Sequence, residues 1–139
     1  MITLSANEAL LEDLRGAKWL DRAGQFTWIT ENAALEEARE RWEEIQGMLL
    51  GWLRDPRKAL DEDLEAPTPS AIRSALRRSQ LWSRGRVRNP TRVAPSGDGG
   101  VLFDWRLEPT SIEVEVEADG SSEYREYQDA KLVRRTHQA

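Results

Sequence analysis

The chain has 139 residues, with 25 Asp and Glu against 20 Lys and Arg for a net charge of −5, one His, no Cys and six Trp. That length suits one domain that buries roughly two-thirds of its unfolded surface, and 39% hydrophobic with 32% charged residues excludes a disordered chain. Lack of Cys excludes a disulfide framework, a thiol nucleophile and a thiolate zinc site, one His excludes a histidine-rich metal centre, and no apolar run approaches the roughly 20 residues of a membrane helix.

Residues 1–22 lack a cationic start followed by an apolar core, so no signal peptide is expected and the expected location is the cytoplasm. Ser5 with Glu8 makes a capping box, Leu10, Leu11, Leu14 and Ala17 follow at helical spacing, and Gly24 is a stop. Gln25 to Thr30 is β-branched and aromatic, either a short strand or a packed connector. Residues 33–54 give the strongest helix: Leu35, Ala38, Trp42, Ile45, Leu49 and Trp52 step by three or four. Glu36, Glu40, Glu43 and Glu44 lie opposite, Glu37 and Arg41 are an i,i+4 pair, and Asp55-Pro56 limits the helix. Gly47 and Gly51 form a small-xxx-small pair that would allow another element close approach.

Lys58 to Pro67 is an acidic connector with Asp61, Glu62, Asp63 and Glu65, a solvated linker without the spaced ligands and Gly of a calcium loop. Thr68-Pro69 reads as N-cap and first helical residue, Ile72, Ala75, Leu76 and Trp82 share a face, and Gly85 and Asn89-Pro90 end the helix. From residue 92 the period becomes two. Val101, Phe103, Trp105 and Leu107 alternate with Leu102, Asp104 and Arg106, and Ile112, Val114 and Val116 alternate with Glu113, Glu115 and Glu117. Asp98-Gly99-Gly100 joins residues 92–94 to the Val101 strand, and Asp119-Gly120 is a tight-hairpin signal leading into Ser122 to Tyr127. Residues 131–135 add a last short strand or trail off, with 136–139 as a tail. The expected fold is α+β, with N-terminal amphipathic helices packed on a C-terminal antiparallel meander of three to five strands in a single domain.

The net charge divides into three: −7 over residues 1–65, +7 over residues 66–97, where seven Arg meet no acid, and −5 over residues 98–139. Arg73, Arg77, Arg84 and Arg88 would form one stripe roughly 60° wide on a continuous helix, and Arg78, Arg86 and Arg92 widen it. Such a patch suits an acidic protein, the chain's own acids, or a nucleic-acid backbone. No zinc ligands, basic-region zipper or aromatic RNA-binding strand accompanies it.

Asp104 with Glu115 and Glu117 would suit a Mg²⁺-dependent nuclease, but the alternation assigns Glu113, Glu115 and Glu117 to a solvated acidic strand face, and no Lys stands beside the pair. His137 is third from the end, where chains fray, and so is a poor catalytic base. Gly97-Asp98-Gly99-Gly100 lacks the Lys-Ser/Thr of a phosphate loop. Trp42, Trp52, Trp82 and Trp105 fall on apolar faces and read as core, leaving Trp19 and Trp28 as candidate interface anchors.

The second half, with Ser96-Gly97-Asp98-Gly99-Gly100-Val101-Leu102-Phe103-Asp104-Trp105, then Ile112 to Val116, then Asp119-Gly120-Ser121-Ser122-Glu123-Tyr124, is similar to a group of small bacterial proteins. They share a DGG–strand–acid-Trp hairpin, an acidic strand and a DG…EY hairpin. Some lie near toxin–antitoxin or defence genes, and the group brings no catalytic residues to transfer. The resemblance implies the meander and tilts the functional expectation. That expectation is a non-catalytic protein that binds a protein partner in an antitoxin-, immunity- or accessory-subunit-like role, with no catalytic residues, metal, cofactor or membrane. The alternatives are a nucleic-acid-binding accessory protein using residues 73–92 and, third, a metal-dependent nuclease or hydrolase; a homo-oligomer stays open.

Overall fold

The computed structural model describes residues 32–59 and 64–138. The helix expected to start at Ser5, the Gln25–Thr30 segment, Trp19, Trp28 and Asp61–Asp63 lie outside the described residues. Helix α1 (Asn32–Arg54) buries Ala38, Trp42, Ile45, Leu49 and Trp52, the stripe that the spacing predicts. Its surface pairs differ from expectation. Arg41 turns to Glu44 at 3.1 Å instead of Glu37, and Arg39 reaches Glu36 at 2.9 Å. Among the described residues Gly47 and Gly51 seat no close neighbour, since a Cβ built on either meets none of them within 4 Å.

A 3₁₀ turn (Pro56–Ala59) follows, and the end of the connector, where Leu64 and Glu65 are exposed, is held by backbone hydrogen bonds. The Glu65 N–H donates to Gly97 O and the Thr68 N–H to Gly99 O. Helix α2 (Pro69–Arg84) starts as read: Thr68 Oγ1 accepts from the Ala71 N–H at 3.1 Å and donates to Ala118 O, and Pro69 supplies the first turn. Thr68 therefore fixes the helix start on the sheet as well as capping it.

The sheet is a five-stranded antiparallel meander in chain order: β1 (Arg92–Pro95), β2 (Val101–Leu107), β3 (Thr110–Val116), β4 (Ser122–Gln128) and β5 (Lys131–Gln138). The fold is α+β, two helices followed by this sheet. Val101, Phe103, Trp105, Ile112, Val114, Val116 and Tyr124 face the helices and are buried. Trp82 of α2 sits at the centre, edge-on to Phe103 and Trp105 with centroids at 4.9 and 5.2 Å, and 6.0 Å from Trp42. Edge-to-face rings suit the aromatic quadrupole; Trp42, Trp82 and Trp105 meet in this packing, and Trp52, the fourth predicted core tryptophan, is buried in the same core.

The turns show how the sheet registers. Gly100 lies where a Cβ would stand 2.3 Å from Val116 O, so only glycine lets β2 and β3 approach there. Asp119-Gly120 is wider than a two-residue turn: Gly120 N–H donates to Glu117 O, Gly120 takes φ 89°, and Glu117 N–H closes on Ser121 O. The last strand is the main correction. β5 runs eight residues through to Gln138, so residues 136–138 are paired sheet, not a tail. Among the described residues no helix is long and apolar enough to cross a membrane.

Candidate functional site

The seven arginines separate by position. Arg73, Arg77 and Arg84 are exposed on the face of α2 opposite Ala75 and Trp82, spanning 11 residues or roughly 16 Å. Arg78 is not part of that surface. The turn angle that puts Ala75 and Trp82 inward also puts Arg78 there, and it is buried with Nη1 and Nη2 on the hydroxyls of Ser74 and Ser122. Burial lowers its pKa to about 10, with Arg77 adding repulsion.

The stripe does not continue as one helix to Arg88, because the chain turns out at residue 85. Val87 N–H donates to Trp82 O at 2.9 Å and Arg86 N–H to Ser83 O at 3.2 Å. These are the paired bonds of a Schellman motif, and buried Val87 makes its apolar contact. The left-handed position falls on Arg86, with φ 59°, and not on Gly85.

Three hydrogen bonds then pin the loop that carries Arg88. Trp42 Nε1 donates to Val87 O at 3.0 Å, Trp105 Nε1 to Arg88 O at 2.7 Å, and Asn89 Nδ2 to Ala38 O at 2.9 Å. Reading the tryptophans as core mass alone misses this second role: their N–H groups hold the arginine loop. Beside it, Leu35, Ala38, Arg39, Trp42, Arg84 and Arg86 line a groove of about 280 Å³. At the other end of α2, Arg73 and Arg77 share a depression of about 470 Å³ with Asp119 and Ser121. The Ser121 hydroxyl, then its N–H, hold the Asp119 carboxyl below the ordinary carboxylate range. Among the described residues, none of Arg73, Arg77, Arg84, Arg86, Arg88 and Arg92 has an acidic partner within 4 Å.

The acids of the sheet behave oppositely. The outer face of β3 is not a free acidic surface, because register places Arg125 of β4 opposite Glu113. Arg125 Nη2 lies 3.0 Å from both Glu113 and Glu115, and Nη1 is 3.5 Å from Glu123. Burial alone would lower Arg125, but hydrogen bonds to Glu115 and Glu113 outweigh it and hold the guanidinium above its ordinary value. Arg135 of β5 adds a 2.6 Å contact to Glu123.

The carboxylates proposed for a metal do not converge. Asp104, buried, is held by Arg106 Nε at 2.9 Å, Glu115 by Arg125, and Glu117 accepts from Ser121 Oγ and faces His137 Nε2 at 3.2 Å. His137 is thus a member of a paired strand, opposite Glu123. A concavity of about 460 Å³ beside Asp104 is lined also by Arg106, Glu108, Glu113, Tyr127 and Asp129. Among the described residues, no group of three or more His, Cys, Asp or Glu is placed to hold a metal ion.

Comparison with known protein families, with curated proteins and with solved structures gives no match for this chain.

Proposed function

We propose that this is a non-catalytic binding protein of the antitoxin, immunity or accessory-subunit kind, working in the cytoplasm, whose contact surface is the arginine side of α2 and the loop after it. Its partner is a protein with an acidic surface. One observation carries the reading: six arginines lack acidic partners among the described residues while Asp104, Glu113, Glu115 and Glu123 of the sheet are paired with Arg106, Arg125 and Arg135. Guanidinium groups without an acidic partner among the described residues, carried on a helix and a pinned loop, are preorganised for bidentate pairing with carboxylates, which lowers the ordering cost of binding.

A nucleic acid is the weaker partner. Glu36, Glu37, Glu40, Glu43 and Glu44 are exposed on α1, the helix packed against α2, and would repel phosphates. The exposed large hydrophobics among the described residues are Leu50, Leu64, Leu132 and Val133, none of which can stack on a base.

The deciding experiment is capture from the native host with the wild-type chain and an Arg73→Glu/Arg77→Glu/Arg84→Glu variant, followed by cross-linking. The expected result is a nuclease-resistant protein partner, cross-linked to α2 and lost with the variant. Retention of RNA or DNA with a steep salt dependence, or a partner indifferent to the charge reversal, would overturn the reading.

A further inference from the structure

The turn between β3 and β4 is fastened to the start of α2 at two points. Ser74 Oγ donates to Gly120 O at 2.8 Å, and Thr68 Oγ1 donates to Ala118 O. Gly120 lies so near the helix that a Cβ on it would stand 3.4 Å from Ser70 O. The depression of about 470 Å³ beside this junction therefore has fixed backbone walls, with Ser70, Arg73 and Arg77 on one and Asp119, Gly120 and Ser121 on the other.

The two walls carry opposite charge, and neither neutralises the other. Arg73 and Arg77 stand one helical turn apart, exposed, with no hydrogen bond or ion pair of their side chains among the described residues. Asp119 is exposed as well, and its carboxylate is held by uncharged donors, the N–H and hydroxyl of Ser121 at 2.9 and 2.6 Å. Those bonds keep it ionised without cancelling its charge. Among the described residues no cation comes within 4 Å of it, and His137, which attracts it, places Nε2 on Glu117 at 3.2 Å. A lone acid entering the depression would answer the arginines and be repelled by Asp119, and a run of phosphates would meet the same carboxylate. An acid with a base beside it answers all three charges, and the repulsion turns that match into selection.

We infer that this depression takes a mixed-charge element of the partner protein, an Asp or Glu on Arg73 and Arg77 flanked by a Lys or Arg on Asp119, which makes Asp119 a specificity-determining residue. The inference rests on the protein-partner reading above and adds the chemistry that the partner presents at this end of α2.

The test is selection of a random displayed-peptide library on the full chain and on an Asp119→Ser variant, in which serine keeps an oxygen for the Ser121 N–H and drops the charge. On the wild-type chain acids and bases should be enriched together, and the enriched peptides should shift the amide signals of residues 70–77 and 119–121. Arg73→Glu/Arg77→Glu should weaken them at least about tenfold, Asp119→Ser about threefold, and selection on the serine variant should return acids without bases. Peptides rich in acids alone on the wild-type chain, still weakened by the arginine reversal, would overturn this inference and leave the partner reading standing. No enrichment, peptides indifferent to the arginine reversal, or shifts confined elsewhere would overturn it too, whereas the partner reading itself falls with the host capture described above.

Discussion

Arg86 occupies a backbone position that costs stability, and replacing it with glycine should recover that cost. At φ 59° its Cβ crowds the carbonyl, a penalty of about 1–2 kcal/mol for a residue with a side chain. Glycine removes the crowding but has more unfolded-state entropy to lose, which returns part of the gain. The side chain is exposed and without an acidic partner among the described residues, so little contact energy is lost with it. The Schellman bonds of Arg86 and Val87 are backbone bonds that glycine keeps. The net expectation for Arg86→Gly is a gain of about 1 kcal/mol, or about 3–4 °C in Tm for a chain of this size. Arg86→Ala is the control, since it keeps the Cβ and loses only the guanidinium, and should stay within about 0.5 kcal/mol of wild type. Urea and thermal unfolding measure both, and under the proposed function both variants lose partner affinity together. A glycine variant no more stable than the alanine variant would refute the argument. An alanine variant much less stable than wild type would mean that the guanidinium holds the fold, not a partner.

Four further outcomes follow from the same geometry. Burial lowers the folded pKa of Arg78 to about 10, so its charge opposes folding fully below that pH and the opposition fades as pH rises above it toward the ordinary arginine value; Arg78→Met should be neutral or stabilising by about 1–2 kcal/mol in urea, with partner affinity unchanged. Arg125→Leu strands Glu113, Glu115 and Glu123 together and should cost about 2–3 kcal/mol in urea unfolding near neutral pH; salt screens the repulsion, so the gap to wild type should narrow in about 1 M NaCl. Trp105→Phe leaves the Arg88 carbonyl without its donor and should cost about 1–2 kcal/mol, with faster amide exchange in residues 86–89. Gly47→Ala on α1, where a Cβ meets nothing within 4 Å among the described residues, should stabilise by about 0.8 kcal/mol in thermal melts.

How much was legible depends on whether a residue's role is periodic or tertiary. The inward faces of α1, α2, β2 and β3 follow from spacing alone, because their apolar residues recur at the period of each element. Arg78 was equally legible, standing three residues after Ala75 and four before Trp82; its charge hid it. β5 was only half legible, since residues 131–135 read as a short strand or a trailing end, for two reasons. Leu132 and Val133 are adjacent and both exposed, so no alternation marks the strand. Its turn also places Asp129 and Ala130 at φ 50° and 63° without the Gly or Asn that announces such a turn. The Arg125 network lay within reach, since folding the chain back at Asp119 sets Glu113 opposite Arg125 and Glu115 opposite Glu123. The loop-pinning bonds of Trp42 and Trp105 had no sequence signal, because they depend on which carbonyl the fold brings to each indole.

That difference explains why the middle of the chain can hold seven arginines and no acid. The sheet needs cations against its own carboxylates, and it draws them from β2, β4 and β5, where register delivers Arg106, Arg125 and Arg135 within 2.6–3.5 Å. The helix and loop cations are therefore surplus to the described fold. Keeping them costs something: Arg77 repels a buried Arg78, and Arg86 holds a left-handed backbone position that glycine would fill more cheaply. Local costs that no ion pair among the described residues offsets fit a surface retained for binding, and the paired measurement on Arg86→Gly, stability up and affinity down, is where that argument stands or fails.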